Sequence, residues 1–255
     1  MKPTYDPRIR LYVDDDLAAG QTLGLAKDKA HYLGNVMRLT AGDTIALFNG
    51  RDGEWLARLE NVTKNRCEVA LVEQRMAQPV MPDLWLVFAP IKKARIDFVA
   101  EKATELGVSE IRPVITRRTV MTRVNTGRLA ANAREAAEQC ERLEIPRVVE
   151  PVRLEALLAE WPQERRLLWC DEQGSGPPIA EGLLGLSAAE RQAPWAILIG
   201  PEGGFDDGER DQLGALDYAF PVSLGPRVLR ADTAAAAALS VWQSIVGDWG
   251  AGNLT

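Results

Sequence analysis

Ile199-Gly200-Pro201-Glu202-Gly203-Gly204-Phe205 is the stretch on which the reading of this chain turns. It follows an apolar run, Trp195 to Gly200, with the length and composition of a buried strand. Its three glycines permit backbone shapes closed to other residues and let main chain approach a ligand closely. A strand-to-helix turn needs one such glycine. Three, with a proline and a glutamate among them, exceed what connectivity asks for, so the loop is read as functional. A second loop of the same kind, Leu224-Gly225-Pro226-Arg227-Val228-Leu229-Arg230-Ala231-Asp232-Thr233-Ala234, follows the strand Tyr218 to Leu224. It leads into a closing helix that is expected to start at Asp232 as N-cap and to run through alanines to about Val246. Open α/β sheets place their ligands at the carboxyl ends of strands, where both loops fall.

Outward from these loops the chain alternates strands and helices. Strands are expected at Leu84 to Ala89, Glu110 to Ile115, Arg147 to Glu150 and Leu167 to Asp171. Helices are expected over Lys92 to Leu106 and Thr126 to Leu143. The first helix stacks Ile96, Val99, Ala103 and Leu106 on one face and stops at Gly107. Fully apolar strands separated by helices imply a mostly parallel sheet covered on both faces. Upstream the rhythm differs, with short β-rich segments at Ile9 to Val13, Thr44 to Asn49, Glu54 to Asn61 and Cys67 to Val72. The turn Asn49-Gly50-Arg51-Asp52-Gly53 supplies glycines suited to a hairpin. One helix, about Asp28 to Leu39 with Leu33, Val36 and Met37 on one face and Gly42 past its end, interrupts what reads as a small β-barrel. Gln74 to Asp83, with Pro79 and Pro82, reads as a linker. The expected division is a barrel over 1–75 and an α/β domain over 76–255.

Composition narrows the chemistry. The single histidine, His31, excludes a multi-histidine metal site, and no metal is expected. No GxGxxG follows a strand, and neither GxxxxGK[ST] nor GxSxG occurs, so dinucleotide, P-loop and α/β-hydrolase readings lack their mechanical parts. Cys67, Cys140 and Cys170 form neither a disulfide framework nor a CxxC pair. No window approaches the roughly 18 apolar residues of a membrane span, and the start lacks the apolar core of an export signal. The expectation is a cytoplasmic protein with no membrane partner. The net charge of -6 is unevenly spread: residues 151 to 255 carry 7 basic and 15 acidic groups. Arg112, Arg117, Arg118, Arg123 and Arg128 fall in a stretch without a carboxylate, which suits either a solvated face or a polyanion.

Several short motifs in order resemble the ribosomal RNA small subunit methyltransferase E family of the SPOUT superfamily, over nearly the whole chain. They are Arg8-Ile9-Arg10-Leu11-Tyr12, His31-Tyr32-Leu33 with Val36-Met37-Arg38, Lys102-Ala103-Thr104-Glu105-Leu106-Gly107-Val108, Glu135-Ala136-Ala137-Glu138-Gln139-Cys140 and the two glycine loops. The resemblance implies an N-terminal PUA-like barrel, a C-terminal α/β SPOUT domain with a trefoil knot, a homodimer, and methylation of uridine N3 in 16S ribosomal RNA. It departs at His31-Tyr32, where two histidines are common, and at Asp232, where glutamate is common.

Carried over by position, the resemblance implies that Ile199, Gly200, Glu202, Gly203, Leu224, Gly225, Val228, Leu229 and Arg230 surround S-adenosyl-L-methionine. Thr233 and Ala234 would close the pocket, and Asp171 and Glu172 would add a wall. Apolar side chains with main-chain polar groups suit such a site. Arg230 is the candidate catalytic residue, a cation stabilising the uridine anion; the alternative is an arginine that bonds carbonyls or a phosphate. Glu202 is either a proton acceptor or a carboxylate that accepts loop N–H groups. The RNA candidates are Arg8, Arg10 and Arg38 on the barrel, with Lys92, Lys93, Arg95, Arg117 and Arg118 beside the site. His31 is either part of that surface or a helix cap. Two other readings stay open: a ribose 2′-O-methyltransferase of the same superfamily, and a non-catalytic RNA-binding or ribosome-assembly protein.

Overall fold

The computed structural model describes residues 9–63, 65–121, 123–174 and 176–250. By contact the chain divides into one unit of residues up to 80 together with 137–145, and another of 81–136 with 146 onward. In the first unit apolar residues alternate along five strands: β1 (Arg10–Tyr12), β2 (Thr22–Leu25), β3 (Thr44–Phe48), β4 (Glu54–Val62) and β5 (Cys67–Met76). They pair in the order β1-β3-β4-β5-β2, antiparallel except for β1 with β3. Register shifts along β4 and β5 bend the longest pair, so the sheet wraps one core that takes Leu11, Leu23, Ile45, Leu47, Leu59 and Val69 from all five strands. The hairpin between β3 and β4 is set by Asn49, whose side-chain Oδ1 accepts the Arg51 and Asp52 N–H groups at 3.0 and 2.8 Å. Gly53 has φ 77°, and a Cβ there would lie 2.1 Å from the Met76 carbonyl oxygen.

Three expectations for this unit are corrected. The strand β2 was not anticipated, and β5 runs to Met76 into the stretch read as linker. The helix is α1 (Lys27–His31) continued by a π turn, Tyr32–Val36. A π turn holds more residues than an α turn, so the apolar positions leave the common face: Leu33 is buried, but Val36 is 58% and Met37 39% exposed.

The second unit opens with β6 (Leu84–Phe88), α2 (Lys93–Glu105), β7 (Glu110–Ile115) and α3 (Thr126–Gln139), the last residues of α3 belonging by contact to the first unit. Then come β8 (Arg147–Val148), β9 (Val152–Arg153), α4 (Leu154–Ala159), β10 (Arg166–Cys170), α5 (Ile179–Leu184) and α6 (Ala188–Gln192). It closes with β11 (Trp195–Ile199), α7 (Asp207–Gly214), β12 (Ala219–Val222) and α8 (Ala231–Ile245). The sheet is parallel throughout, ordered β12-β10-β11-β6-β7-β8, with β9 also on β7. Residues of β11 alternate between two cores. Trp195, Ile197 and Ile199 join the layer that holds Ile96 and Val99 of α2 and Leu239 and Trp242 of α8. Ala196 and Leu198 join the layer with Leu157 of α4 and Leu213 of α7. The parallel sheet covered on both faces is therefore as expected, whereas α4 to α7 were not foreseen.

Two helix ends differ from expectation. α3 stops at Gln139, and Glu141 takes φ 63°. Carbonyls of its last turn are satisfied by a side chain instead of another turn, since the Arg10 guanidinium donates to the Ala137 and Glu138 oxygens at 3.0 and 3.1 Å and, beyond the helix, to the Arg142 oxygen at 3.2 Å. The N-cap of α8 lies two residues earlier than anticipated, at Arg230, and Asp232 lies inside the first turn. No described helix is long and apolar enough to cross a membrane.

Candidate active site

Because β12, β10 and β11 are neighbours, the loops leaving their carboxyl ends converge. Residues 170–174, 199–202, 204, 223–231 and 234 line one cavity of about 690 Å³, a volume typical of small-molecule and cofactor sites. Its lining includes the apolar Ile199, Leu224, Val228 and Leu229 and five charged residues, Asp171, Glu172, Glu202, Arg227 and Arg230.

In the first glycine loop the Gly204 N–H donates to the Pro201 carbonyl at 2.9 Å, and Gly204 has φ 69°. A Cβ on Gly200 would press to 2.8 Å on the ring of Phe205, which is fully buried and meets Trp169 edge-on at 6.1 Å. The loop ends in a capping box: Asp206 accepts the Glu209 N–H at 2.8 Å, and Glu209 accepts the Asp206 N–H at 3.0 Å. The N–H of Glu209, and then the nearby Arg117 guanidinium, hold the Asp206 carboxyl below the usual carboxylate range. Arg117 donates to Asp206 at 3.0 Å, and Arg118 donates to the Gly203 carbonyl at 3.0 Å.

The strand-end loop after β10 carries a feature that sequence reasoning missed. Asp171 is fully buried and forms a two-pronged pair with Arg210 of α7. The hydrogen bonds that Arg210 donates to Asp171 raise the guanidinium's pKa above its ordinary value. The adjacent Glu172 accepts the Phe205 N–H at 3.2 Å. The carboxylate serving the loop's N–H groups is thus Glu172, while Glu202 is exposed and makes no hydrogen bond among the described residues. Cys170, also on the cavity wall, has its thiol pushed up to about 12 by burial. In the second loop the Ser223 hydroxyl accepts the Gly225 N–H at 3.2 Å, Gly225 has φ 103°, and Val228 is 89% exposed.

Of the residues expected around the cofactor, Asp171, Glu172, Ile199, Gly200, Glu202, Leu224, Gly225, Val228, Leu229, Arg230 and Ala234 line the cavity. Gly203 and Thr233 do not. Gly203 instead abuts the Arg118 side chain, and Thr233 is exposed on α8. Among the RNA candidates, Arg10 is corrected: its side chain is only 9% exposed and is committed to Glu54 and three backbone carbonyls. Arg38 is exposed with φ 58°, and Lys92 is exposed at the start of α2. Arg95 lies 3.9 Å from Asp232. Arg8 and the Lys93 side chain lie outside the described residues. His31 is exposed in the last turn of α1.

A wrapped β-unit joined to a parallel sheet with a loop-built cavity at its carboxyl edge matches two profiles: an RNA methyltransferase PUA domain over residues 25–72 and an RNA methyltransferase domain over 78–243. These place the chain in the class of two-part RNA methyltransferases with a SPOUT-type fold. Within that class it belongs to the ribosomal RNA small subunit methyltransferase E family. It is 34% identical to the Rickettsia conorii member over 91% of this chain and 93% of that one. A crystal structure of a Neisseria gonorrhoeae ribosomal RNA small subunit methyltransferase E bound to S-adenosyl methionine matches with TM-score 0.83. That match is at 27% identity and covers 95% of this chain and 99% of the other. A Legionella pneumophila methyltransferase structure in complex with the same cofactor matches with TM-score 0.81 at 31% identity, covering 92% and 96%.

Proposed function

We propose that this chain transfers a methyl group from S-adenosyl-L-methionine to N3 of a uridine in 16S ribosomal RNA. The observation that carries the reading is the cavity at the carboxyl ends of β10, β11 and β12, in a chain of this family. Its apolar walls and main-chain groups suit an adenosine, and Glu202 puts a carboxylate in a cavity that would take a cationic sulfonium ligand. When bound, the cofactor supplies a methyl on a sulfonium centre that is open to in-line attack.

The protein's share is alignment and charge. Arg230, exposed at the cavity mouth, stabilises the uridine anion that forms when the N3 proton leaves. Glu202, also at the cavity and without a hydrogen bond among the described residues, is the acceptor we assign to that proton. Arg38, Lys92 and Arg118 are the described residues we assign to the RNA phosphates. We further assign a homodimer, a cytoplasmic location beside the ribosome, and a trefoil knot. The close passage of 176–179 along 221–223, where Ser223 N–H donates to Pro177 O at 2.9 Å and Ile179 N–H to Ser223 O at 3.0 Å, supports the threaded chain.

The deciding experiment incubates the protein with cofactor and small-subunit RNA, digests the RNA, and identifies the nucleosides by mass spectrometry. N3-methyluridine is expected. Only 2′-O-methylated nucleosides, or no product from folded protein that binds RNA, would overturn the assignment. Arg230→Ala should lower turnover about a hundredfold, as removal of a transition-state donor does, while cofactor affinity changes within about threefold. Unchanged turnover would remove Arg230 from the catalytic role.

A further inference from the structure

The first glycine loop has little to hold it from within. Three of its residues from 200 to 204 are glycines, which lose the most conformational freedom on ordering, and the Gly204-to-Pro201 bond is its one internal hydrogen bond among the described residues. A loop of this kind binds a ligand well only if something outside it fixes its shape beforehand.

We infer that Glu172 is a positioning residue, held by Arg210 of α7, that fixes the glycine loop in its cofactor-receiving shape. The inference rests on the proposal that this cavity takes S-adenosylmethionine. Four contacts form a continuous chain. Asp171, fully buried at the end of β10, anchors Arg210, which is 15% exposed and lies 5.6 Å from the Trp169 ring. The same guanidinium nitrogen lies 3.6 Å from Glu172 Oε1. That oxygen accepts the Phe205 N–H at 3.2 Å. It also fills the space beside Gly204, where a Cβ would stand 2.3 Å away. Arg210 sits in the helix that immediately follows the loop, so the loop's exit is tied to the end of β10 through both the helix and the Glu172 carboxylate. Glu172 lines the cavity but faces the loop's backbone with its Oε1, whereas Arg210 does not line the cavity and acts only through Glu172 and Asp171.

The test compares Glu172→Gln, Glu172→Ala and Arg210→Lys in the full chain. It reads the dissociation constant for S-adenosylmethionine by calorimetry and, without ligand, hydrogen exchange at the Phe205 amide. The glutamine carbonyl can still accept the Phe205 N–H, so that variant should keep Phe205 exchange within about threefold of wild type and bind more tightly than Glu172→Ala. Removal of the acceptor in Glu172→Ala should weaken binding about tenfold and speed Phe205 exchange by a similar factor, the low end for a charge-assisted bond because Glu172 is partly exposed. Arg210→Lys keeps a cation for buried Asp171 but cannot serve both carboxylates, and should fall between the two. Equal Phe205 protection in wild type and Glu172→Ala would overturn the clamp. So would a Glu172→Gln variant that binds as weakly as Glu172→Ala with its amide still protected, since Glu172 would then meet the ligand's charge directly. Failure of the wild-type chain to bind S-adenosylmethionine would overturn the proposed function instead, and the exchange reading distinguishes the two failures.

Discussion

Arg10→Ala separates a folding role from an RNA-contact role at a position where sequence and structure disagree. Arg10 and Glu54 are each 9% exposed, and the Arg10 Nε to Glu54 Oε2 bond is 2.6 Å. The guanidinium also stands 4.6 Å from the Phe48 ring centroid and supplies the donors for the carbonyls of Ala137, Glu138 and Arg142. Breaking a buried pair from one side costs about 3–5 kcal/mol, because the surviving charge is left in low dielectric. Here Arg75, 3.6 Å from the other Glu54 oxygen, remains as a partial counterion. The lower end, about 3 kcal/mol, is therefore expected. With several tryptophans in the second unit, bulk fluorescence would report the wrong region, so the assay is native-state hydrogen exchange on Leu47, Phe48 and Ala57. The expected effect is exchange faster by about a hundredfold, which is 3 kcal/mol at 1.4 kcal/mol per decade. Arg10→Lys should recover part of this, since an ammonium satisfies the charge but not the fork. A stability change below about 0.5 kcal/mol, the size expected of an ordinary surface site, together with weaker RNA binding and a shallower salt dependence, would refute the structural role.

Gly200→Ala should cost about 1–3 kcal/mol of stability as an overpacked site, because the new methyl meets a Phe205 ring already buried against Trp169; a melting temperature and cofactor affinity equal to wild type would contradict this. The Asp206 carboxyl is held low in the folded chain, so its cap contributes fully above the ordinary aspartate value of 3.8 and is lost as pH falls through the depressed folded value. Protection of the Glu209 amide should therefore persist at pH 4 and decline only below it, and a decline beginning near pH 6 would be inconsistent. Cys140 is exposed, while Cys67 and Cys170 are buried with raised thiol pKa values. N-ethylmaleimide at pH 8 should add one label per native chain, located by peptide mass spectrometry at Cys140; rapid labelling of Cys170 would show that the cavity wall opens.

What could be read from the sequence was what local pattern encodes. The apolar strands of the parallel sheet and the glycine loops announce themselves within a few residues, because burial on both faces and left-handed or closely packed backbone each demand particular side chains in place. The short elements were hidden for the converse reason. β2 offers only Leu23 and Leu25 to the core, and α5 and α6 have six and five residues, too few to establish a period. The helix near His31 was misread because a 3.6-residue period was assumed through a π turn, which put Val36 and Met37 on the wrong face. Arg10 read as a surface charge because nothing near it in sequence reveals Glu54, 44 positions on, or the carbonyls of α3's end, 127 and 128 positions on. The Asp171–Arg210 pair, 39 positions apart, left no local trace either.

The same long-range pairing changes how the charge distribution should be interpreted. Part of the acidic surplus of residues 151 to 255 is spoken for. Asp206 and Glu209 cap α7, Glu190 caps α6, and Asp171 neutralises Arg210. The arginine run is spent in part as well: Arg112 pairs with Glu110, Arg117 with Asp206 and Glu155, and Arg128 with Asp97. What is left at the cavity is a smaller and more pointed field. Arg227 and Arg230 stand exposed on the second glycine loop and form no ion pair among the described residues. Unpaired cations at the rim of a concave site draw an anion toward it more effectively than a larger number already neutralised by neighbours. The net charge of the chain therefore says little about its partner, and the placement of two arginines beside the cofactor cavity says more.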